Sequence, residues 1–574
     1  MERRLLLVFA LTFLVIILFQ PILKKFLPQA PTPPGQTQTQ TQNPAQTPPP
    51  RGSVSNPSEV AQAKSAASKT ATKQAAAETE TVIENDVYRI TFTNRGAQVK
   101  SWILKKYDDD HGHPLELVNR VTAEKFGYPL SLWTYDENLR NQLNSALYTA
   151  SSSGALTAPA ELTFEYADQD LAVRKVFRFD HSYVLHIETV VASHGSNVAA
   201  YPLWPAGFGD QDTPAGYASG RIEYQLNSNI ERIAFKKVSG GNTLPGPFNW
   251  IAVTDQYFAA TFMPDDIQSV AAVTLHNSID IPKDPEKPNQ ELTKVDVLGA
   301  AVGNPKGVTV ERLYVGPKEL RTLETVSVPT IADKDPDLRA LINFGFFGVI
   351  ARPLFIWLRW TYTYVHNWGW AIVIQTLIIN LVLLPLRISS MKSALKMQKI
   401  QPQMNAVKEK YKKYGMRDPR RQEMNTEIGE LMKREGVSPV GGCLPMLIQM
   451  PFLFAYYGML GAALDLRHAH WLWIKDLSSA DPYLVLPILI IVTGLATQRM
   501  TPQAGMDPSQ QKMMNVVMPV MFGFISYRLA AGLCLYWCES SVIAIVQQAV
   551  MNKTSLGREM REMALKRARK KEKK

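Results

Sequence analysis

The 574 residues carry a formal net charge of +11, with 46% hydrophobic and 20% charged residues. Polar and apolar residues are segregated along the chain, which excludes both a single soluble globule and a disordered polyelectrolyte. The three cysteines, Cys443, Cys534 and Cys538, all fall in apolar runs, so no disulfide framework supports the polar part.

Residues 1–27 read as a membrane anchor. Arg3 and Arg4 precede the apolar run Leu5–Leu23, whose length exceeds the roughly 7–15 apolar residues of a signal peptide, and no small-x-small cleavage site follows. Residues 28–80 are Pro-, Gln- and Ala-rich, too poor in apolar residues to fold, and read as a flexible linker. From 81 to 330 the segments VYRITFTN, AQVKSWIL, ELTFEYA, VRKVFRFD, YVLHIETVVA, ERIAFKKV and VTVERLYVG alternate with period two between turn signals, predicting an all-β sandwich. Within it, DDDHGH at Asp108–His113 follows a predicted strand and ends at proline, which favours a solvated loop over a metal site.

Residues 331–369 are apolar but interrupted by Arg339, Arg352, Pro353 and Arg359, with Trp357, Trp360, Tyr362 and Tyr364 nearby. That mixture predicts an amphipathic helix lying in a membrane interface rather than crossing it. In 370–552 the runs Trp370–Leu386, Cys443–Leu464 and Tyr483–Thr497 compare with the roughly 17–25 residues needed to cross a hydrocarbon core, the last being short. The run Met513–Val550 is too long for one crossing, and Ala530-Ala531-Gly532 divides it into Met514–Leu529 and Leu533–Val550.

Six spans put both termini on one side. The tail 553–574 has ten Lys/Arg against three Asp/Glu, and the segment 387–440 has 13 against 6, so the positive-inside rule assigns that side to the cytoplasm and the sandwich to the opposite face. In 387–440, Met397, Ile400, Met404, Val407 and Tyr411 recur at helical spacing. Gly415 and Asp418-Pro419 break the pattern, and Met424, Ile428 and Leu431 resume it, predicting an antiparallel helical hairpin. Lipid-headgroup attraction and topology suffice for the basic charge, while ribosomal RNA contact by the tail is an unspecific alternative.

Several polar groups fall inside the predicted spans. GGCLPMLIQMP at 441–451 places Gln449 in an apolar run with two prolines; lipid offers an amide no partner, so Gln449 faces protein or water. Thr376 and Asn380 lie four apart and share a helix face, with Gln375 beside them. Asn380 fits either interhelical hydrogen-bonding or the lining of a polar groove. Glu539 falls near mid-depth and Arg528 beside the outer turn of the preceding span. They read either as a structural pair (or a protonated Glu539), or as polarity moved onto the last span.

GGCLPMLIQMP, DPYLVLPILI, MDPSQQKMM, VMPVMFGF and AGLCLYW…IVQQ, with TNRGAQVKSW, WIAVTDQYFA and LYVGPKEL in the polar region, closely resemble the YidC family of bacterial membrane-protein insertases in its Gram-negative form. The resemblance covers nearly the whole chain. It implies an α-helical polytopic membrane protein of six spans with a five-helix core, plus an exported all-β supersandwich similar to sugar-mutarotase folds. It implies no enzyme activity, no cofactor and no metal. A polar groove open to cytoplasm and lipid would receive nascent membrane proteins, alone or beside the Sec translocon. Membrane lipids are implied partners, as are ribosomes through the tail and hairpin, but not DNA. Thr376 matches a groove position, Gln449 would face the groove, and Met450, Tyr536 and Trp537 match substrate-contacting positions. Asn380 departs from the family, most members carrying arginine there, five residues before the proline at Pro385. Two rival readings are a secondary transporter, which would show repeated halves that are not seen here, and a sugar-active sandwich, which needs a paired acid and base that no spacing singles out.

Overall fold

The computed structural model describes residues 72–555, 558 and 562, apart from 228, 284–290, 327–336, 415–417, 437–443 and 501–512. The expected anchor, most of the linker and most of the basic tail lie outside the described residues.

Among the described residues twenty strands form one ten-stranded and two five-stranded sheets. Pairing is antiparallel apart from Glu80–Glu84 with Gly154–Thr157. Alternation drives the outer strands: Tyr88–Thr93 buries Tyr88, Ile90 and Phe92 while Arg89 faces water. Phe92 meets Phe177 of the large sheet at a centroid distance of 5.0 Å and Phe179 at 5.8 Å, so the two faces pack as a sandwich. The strands Phe248–Thr254 and Phe258–Pro264 do not alternate, because the sandwich buries both of their faces.

Lys175 points into this core, wholly buried. Its ammonium donates to the carbonyls of Gly96 (2.8 Å), Ala97 (3.0 Å) and Leu130 (2.9 Å), fixing a turn that carries positive φ at Gly96 and Ala97.

Eight α-helices follow residue 345 among the described residues: α1 Gly348–Val365, α2 Trp368–Val382, α3 Leu384–Lys410, α4 Arg420–Arg434, α5 Leu444–Ala462, α6 Val485–Met500, α7 Met518–Ser526 and α8 Ala531–Lys553. A π-helical turn, Met513–Val517, leads into α7. Of these, α8 is long and apolar enough to cross a membrane by itself, whereas the apolar stretches of α2, α5, α6 and the Met513–Ser526 segment are shorter. The divide at Ala530-Ala531-Gly532 is anchored from outside: Ala531 N–H donates to Ser479 O at 2.6 Å and Gly532 N–H to Leu477 O at 2.8 Å.

Helix α1 buries Ala351, Leu354, Phe355 and Leu358 and packs on α2 and α5, yet leaves Val349, Ile356, Trp360 and Tyr364 exposed. An apolar outward face on a buried inner one suits a helix that lies against lipid. The hairpin α3–α4 closes over Ile400, Met404 and Leu431, flanked by Met397 and Ile428, and Lys410 reaches Glu427 at 3.2 Å.

The sandwich and the bundle meet through an ionic clasp. Asp110, exposed as expected of a solvated loop, also accepts from Arg467 at 3.3 Å and faces His468 Nε2 at 3.0 Å. The pairing arises because Asp109 accepts the N–H groups of His111 and His113, curling the loop so that the neighbouring carboxylate projects toward the loop after α5. Arg467 also lies 3.8 Å from Asp210 and stands 5.5 Å over the Tyr257 ring. Burial pushes the Asp110 carboxyl up, but His468 and Arg467 outweigh it and hold it below its ordinary value. Alongside, Glu319 takes the Tyr107 hydroxyl at 3.1 Å and approaches Arg359 of α1 at 3.7 Å.

Candidate functional site

Helix α2 starts at Asn367, whose side chain accepts from Trp370 N–H at 3.1 Å and donates to His470 O at 3.2 Å. Its sequence is apolar on almost every turn, so its few polar residues share one buried side with Ala371, Ile372 and Ile379: Gln375, Thr376 and Asn380. Gln375 donates to Leu354 O of α1 at 2.9 Å and accepts from the Tyr456 hydroxyl of α5 at 2.6 Å. Thr376 donates to Ile372 O at 2.7 Å. Asn380 donates to Thr376 O at 2.9 Å and to Ser540 Oγ of α8 at 3.4 Å.

Helix α8 supplies the facing wall. Tyr536, Ser540 and Gln547 fall on one stripe at i, i+4 and i+11. Tyr536 stacks on Tyr456 at 4.0 Å with the planes 13° apart. Gln547 donates to Asn380 O at 3.3 Å and accepts from Arg387 at 2.6 Å. Glu539 is half-buried, its carboxyl meets the Thr376 hydroxyl, and its Oε2 is buried without a hydrogen-bond partner.

Four of the expected groove residues therefore come together: Thr376, Asn380, Tyr536 and Glu539. Trp537 turns to Phe522 of α7, 4.9 Å away and edge-on, and Met450 is 36% exposed on α5. Gln449 lies in α5, with its side chain outside the described residues. The suggested Arg528–Glu539 pair does not form. Arg528 is exposed beyond the end of α7, whereas Glu539 lies eight residues into α8, about 12 Å along the axis. Tyr456, Ser540 and Gln547 escaped the reading of the sequence. The stripe on α8 is a signal that would have found the last two; nothing local marks Tyr456 among the aromatics of FLFAYYG.

At the end facing the sandwich the cluster is lidded. The loop between α5 and α6 folds on itself through Asp476, which accepts from His468 N–H at 3.1 Å and Ser478 N–H at 2.8 Å, and through Asp481, which accepts from Leu486 N–H at 2.7 Å. Trp471 of this loop lies on Gly369, where a Cβ would overlap the indole. Burial pushes the Asp465 carboxyl of the loop up to about 6.

Polar side chains enclosed by apolar helices, with an outer helix that exposes an apolar face and an all-β domain clasped at one end, define the class of an integral membrane protein with a polar interior. Residues 360–558 match the family described as 60Kd inner membrane protein, and residues 80–357 the YidC periplasmic domain. The membrane protein insertase YidC of Geotalea uraniireducens is 33% identical over 493 residues, covering 82% of this chain and 87% of that one. That of Geobacter sulfurreducens is 32% identical, covering 82% and 86%. A solved structure of an active YidC insertase with its first transmembrane domain resolved aligns over 84% of this chain and 95% of its own at 18% identity and a TM-score of 0.34. The chain belongs to the YidC family, an inner-membrane protein with a periplasmic β-domain.

Proposed function

We propose that this chain is a membrane protein insertase and chaperone, not an enzyme, that passes the polar part of an incoming protein through the cluster between α2, α5 and α8 while its apolar part enters lipid. One observation carries the reading: Gln375, Thr376, Asn380, Tyr456, Glu539 and Ser540 converge inside a bundle of otherwise apolar helices. A charged side chain at a bilayer centre costs roughly 2.5–3.5 kcal/mol on insertion scales. A polar groove part-way across shortens the dry path, and burial of the substrate's own apolar segment supplies the driving force without nucleotide. In this reading the groove opens to the cytoplasm and sideways to lipid, the α5–α6 loop closes its periplasmic end, and both termini are cytoplasmic. The hairpin α3–α4 and the basic tail would meet the ribosome, and the bundle would work alone or beside the Sec translocon. The transporter and sugar-enzyme readings find no support in the relatives, which are named insertases.

Photocrosslinkers at Asn380, Tyr536 and, as a lipid-facing control, Leu381 test it. With a stalled single-span nascent chain, the first two should capture its polar segment and Leu381 should not. Equal capture at all three would count against a groove.

A further inference from the structure

Among the five apolar helices α2, α5, α6, α7 and α8, the charged residues are few: Arg499 at the end of α6, Lys553 at the end of α8, and Glu539. Glu539 alone lies well inside its helix. Its surroundings contain no compensating cation among the described residues. The group its carboxyl meets is the Thr376 hydroxyl, which is uncharged. Arg387 donates to Gln547, eight residues beyond Glu539 on α8.

A carboxyl group held this way is expensive to keep ionised, and replacing it with an apolar residue would relieve the bundle. Its Oε2 has a shape-defined, desolvated position and nothing to accept from. The group that would complete it is one that arrives and leaves: an ammonium or guanidinium on the segment in transit. Asn380 and Thr376 offer dipoles to such a segment but no charge.

We propose that Glu539 is a specificity-determining residue of the groove, favouring substrates whose translocated polar segment carries lysine or arginine over those carrying aspartate or glutamate. The proposal rests on the insertase reading above. A carboxyl that gives up its proton as a cationic side chain arrives lowers the desolvation penalty of a basic segment and gives an acidic one no such partner, so the two classes separate in rate.

The test uses the purified full chain in liposomes without a membrane potential. Three versions of one single-span protein differ only in two residues of the translocated segment: Lys-Lys, Ser-Ser or Asp-Asp. Insertion is scored by protease protection and normalised to the Ser-Ser form of the same variant. Wild type should favour Lys-Lys over Asp-Asp by on the order of tenfold. E539Q, which keeps shape and hydrogen bonding, should collapse that ratio to about one, and E539D should preserve its sense. An unchanged ratio in E539Q, including a uniform fall of all three substrates, overturns the proposal and assigns Glu539 to packing. No protection of the Ser-Ser form by wild type above empty liposomes overturns the insertase reading itself, and this proposal with it.

Discussion

Replacing Gly369 with alanine should destabilise the bundle, although glycine to alanine within a helix ordinarily does the reverse. A Cβ at 369 would overlap Cδ1 and Cγ of Trp471 and fall 2.6 Å from its Cβ. The indole has little room to retreat. Trp471 exchanges backbone hydrogen bonds with Ile474 at 2.8 and 2.9 Å, and its ring meets Trp370 at 5.7 Å and Trp473 at 5.9 Å. Overpacking of this kind costs about 1–3 kcal/mol, and helix propensity returns about 0.5–1 kcal/mol. A net loss of up to about 2.5 kcal/mol remains, read from reversible unfolding of the purified protein in mixed micelles by tryptophan fluorescence. Because the sign differs from that of an unencumbered helical glycine, the result is decisive. Stabilisation of G369A by about 0.5–1 kcal/mol would mean that Trp471 does not lie on α2 and that the lid is misplaced.

Tyr456→Phe removes the donor to Gln375 Oε1 and should cost about 0.6–1.7 kcal/mol in the same assay, the range found for buried hydrogen bonds between membrane helices; no change would detach Gln375 from the network. Lys175→Met leaves three buried carbonyls unpaired and should lower periplasmic-domain stability by about 2–4 kcal/mol. Burial pushes the Lys175 amine from 10.5 down to about 7. The unfolded chain therefore binds the extra proton between those values, and stability should rise as pH increases from about 7 toward 10 in wild type but not in K175M. Asp465 has the opposite sign, its carboxyl being raised from 3.8 to about 6 by burial. Its contribution is complete below 3.8 and disappears as pH rises through about 6. Thermal scans across pH 4–8 should show that loss in wild type and a flatter profile in D465N.

The legible parts of the fold were those in which one side chain in two or four had to be apolar. Strands such as Tyr88–Thr93 and Leu171–Phe179 alternate because one face meets the core, and the hairpin stripes at Ile400, Met404 and Leu431 repeat because each arm covers the other. Phe248–Thr254 and Phe258–Pro264 carry no such period, being buried on both faces. The α2 side of the site was legible from the four-residue spacing of Thr376 and Asn380. Its counterpart was not: the Tyr456–Gln375 bond joins residues 81 apart in sequence, and no local pattern encodes which aromatic of α5 turns inward. The Asp110–Arg467 clasp spans 357 residues and was hidden for the same reason: the loop is solvated, as its sequence suggests, and also forms half of an interface.

The central claim is that this chain by itself moves protein segments into a membrane. Purified wild type in liposomes, given a small single-span substrate, with N380L and E539L alongside, tests it most directly. Protease protection above empty liposomes is predicted for wild type and a marked loss for at least one variant, because each removes a polar group from the cluster between α2 and α8. Absence of protection with wild type would contradict the account.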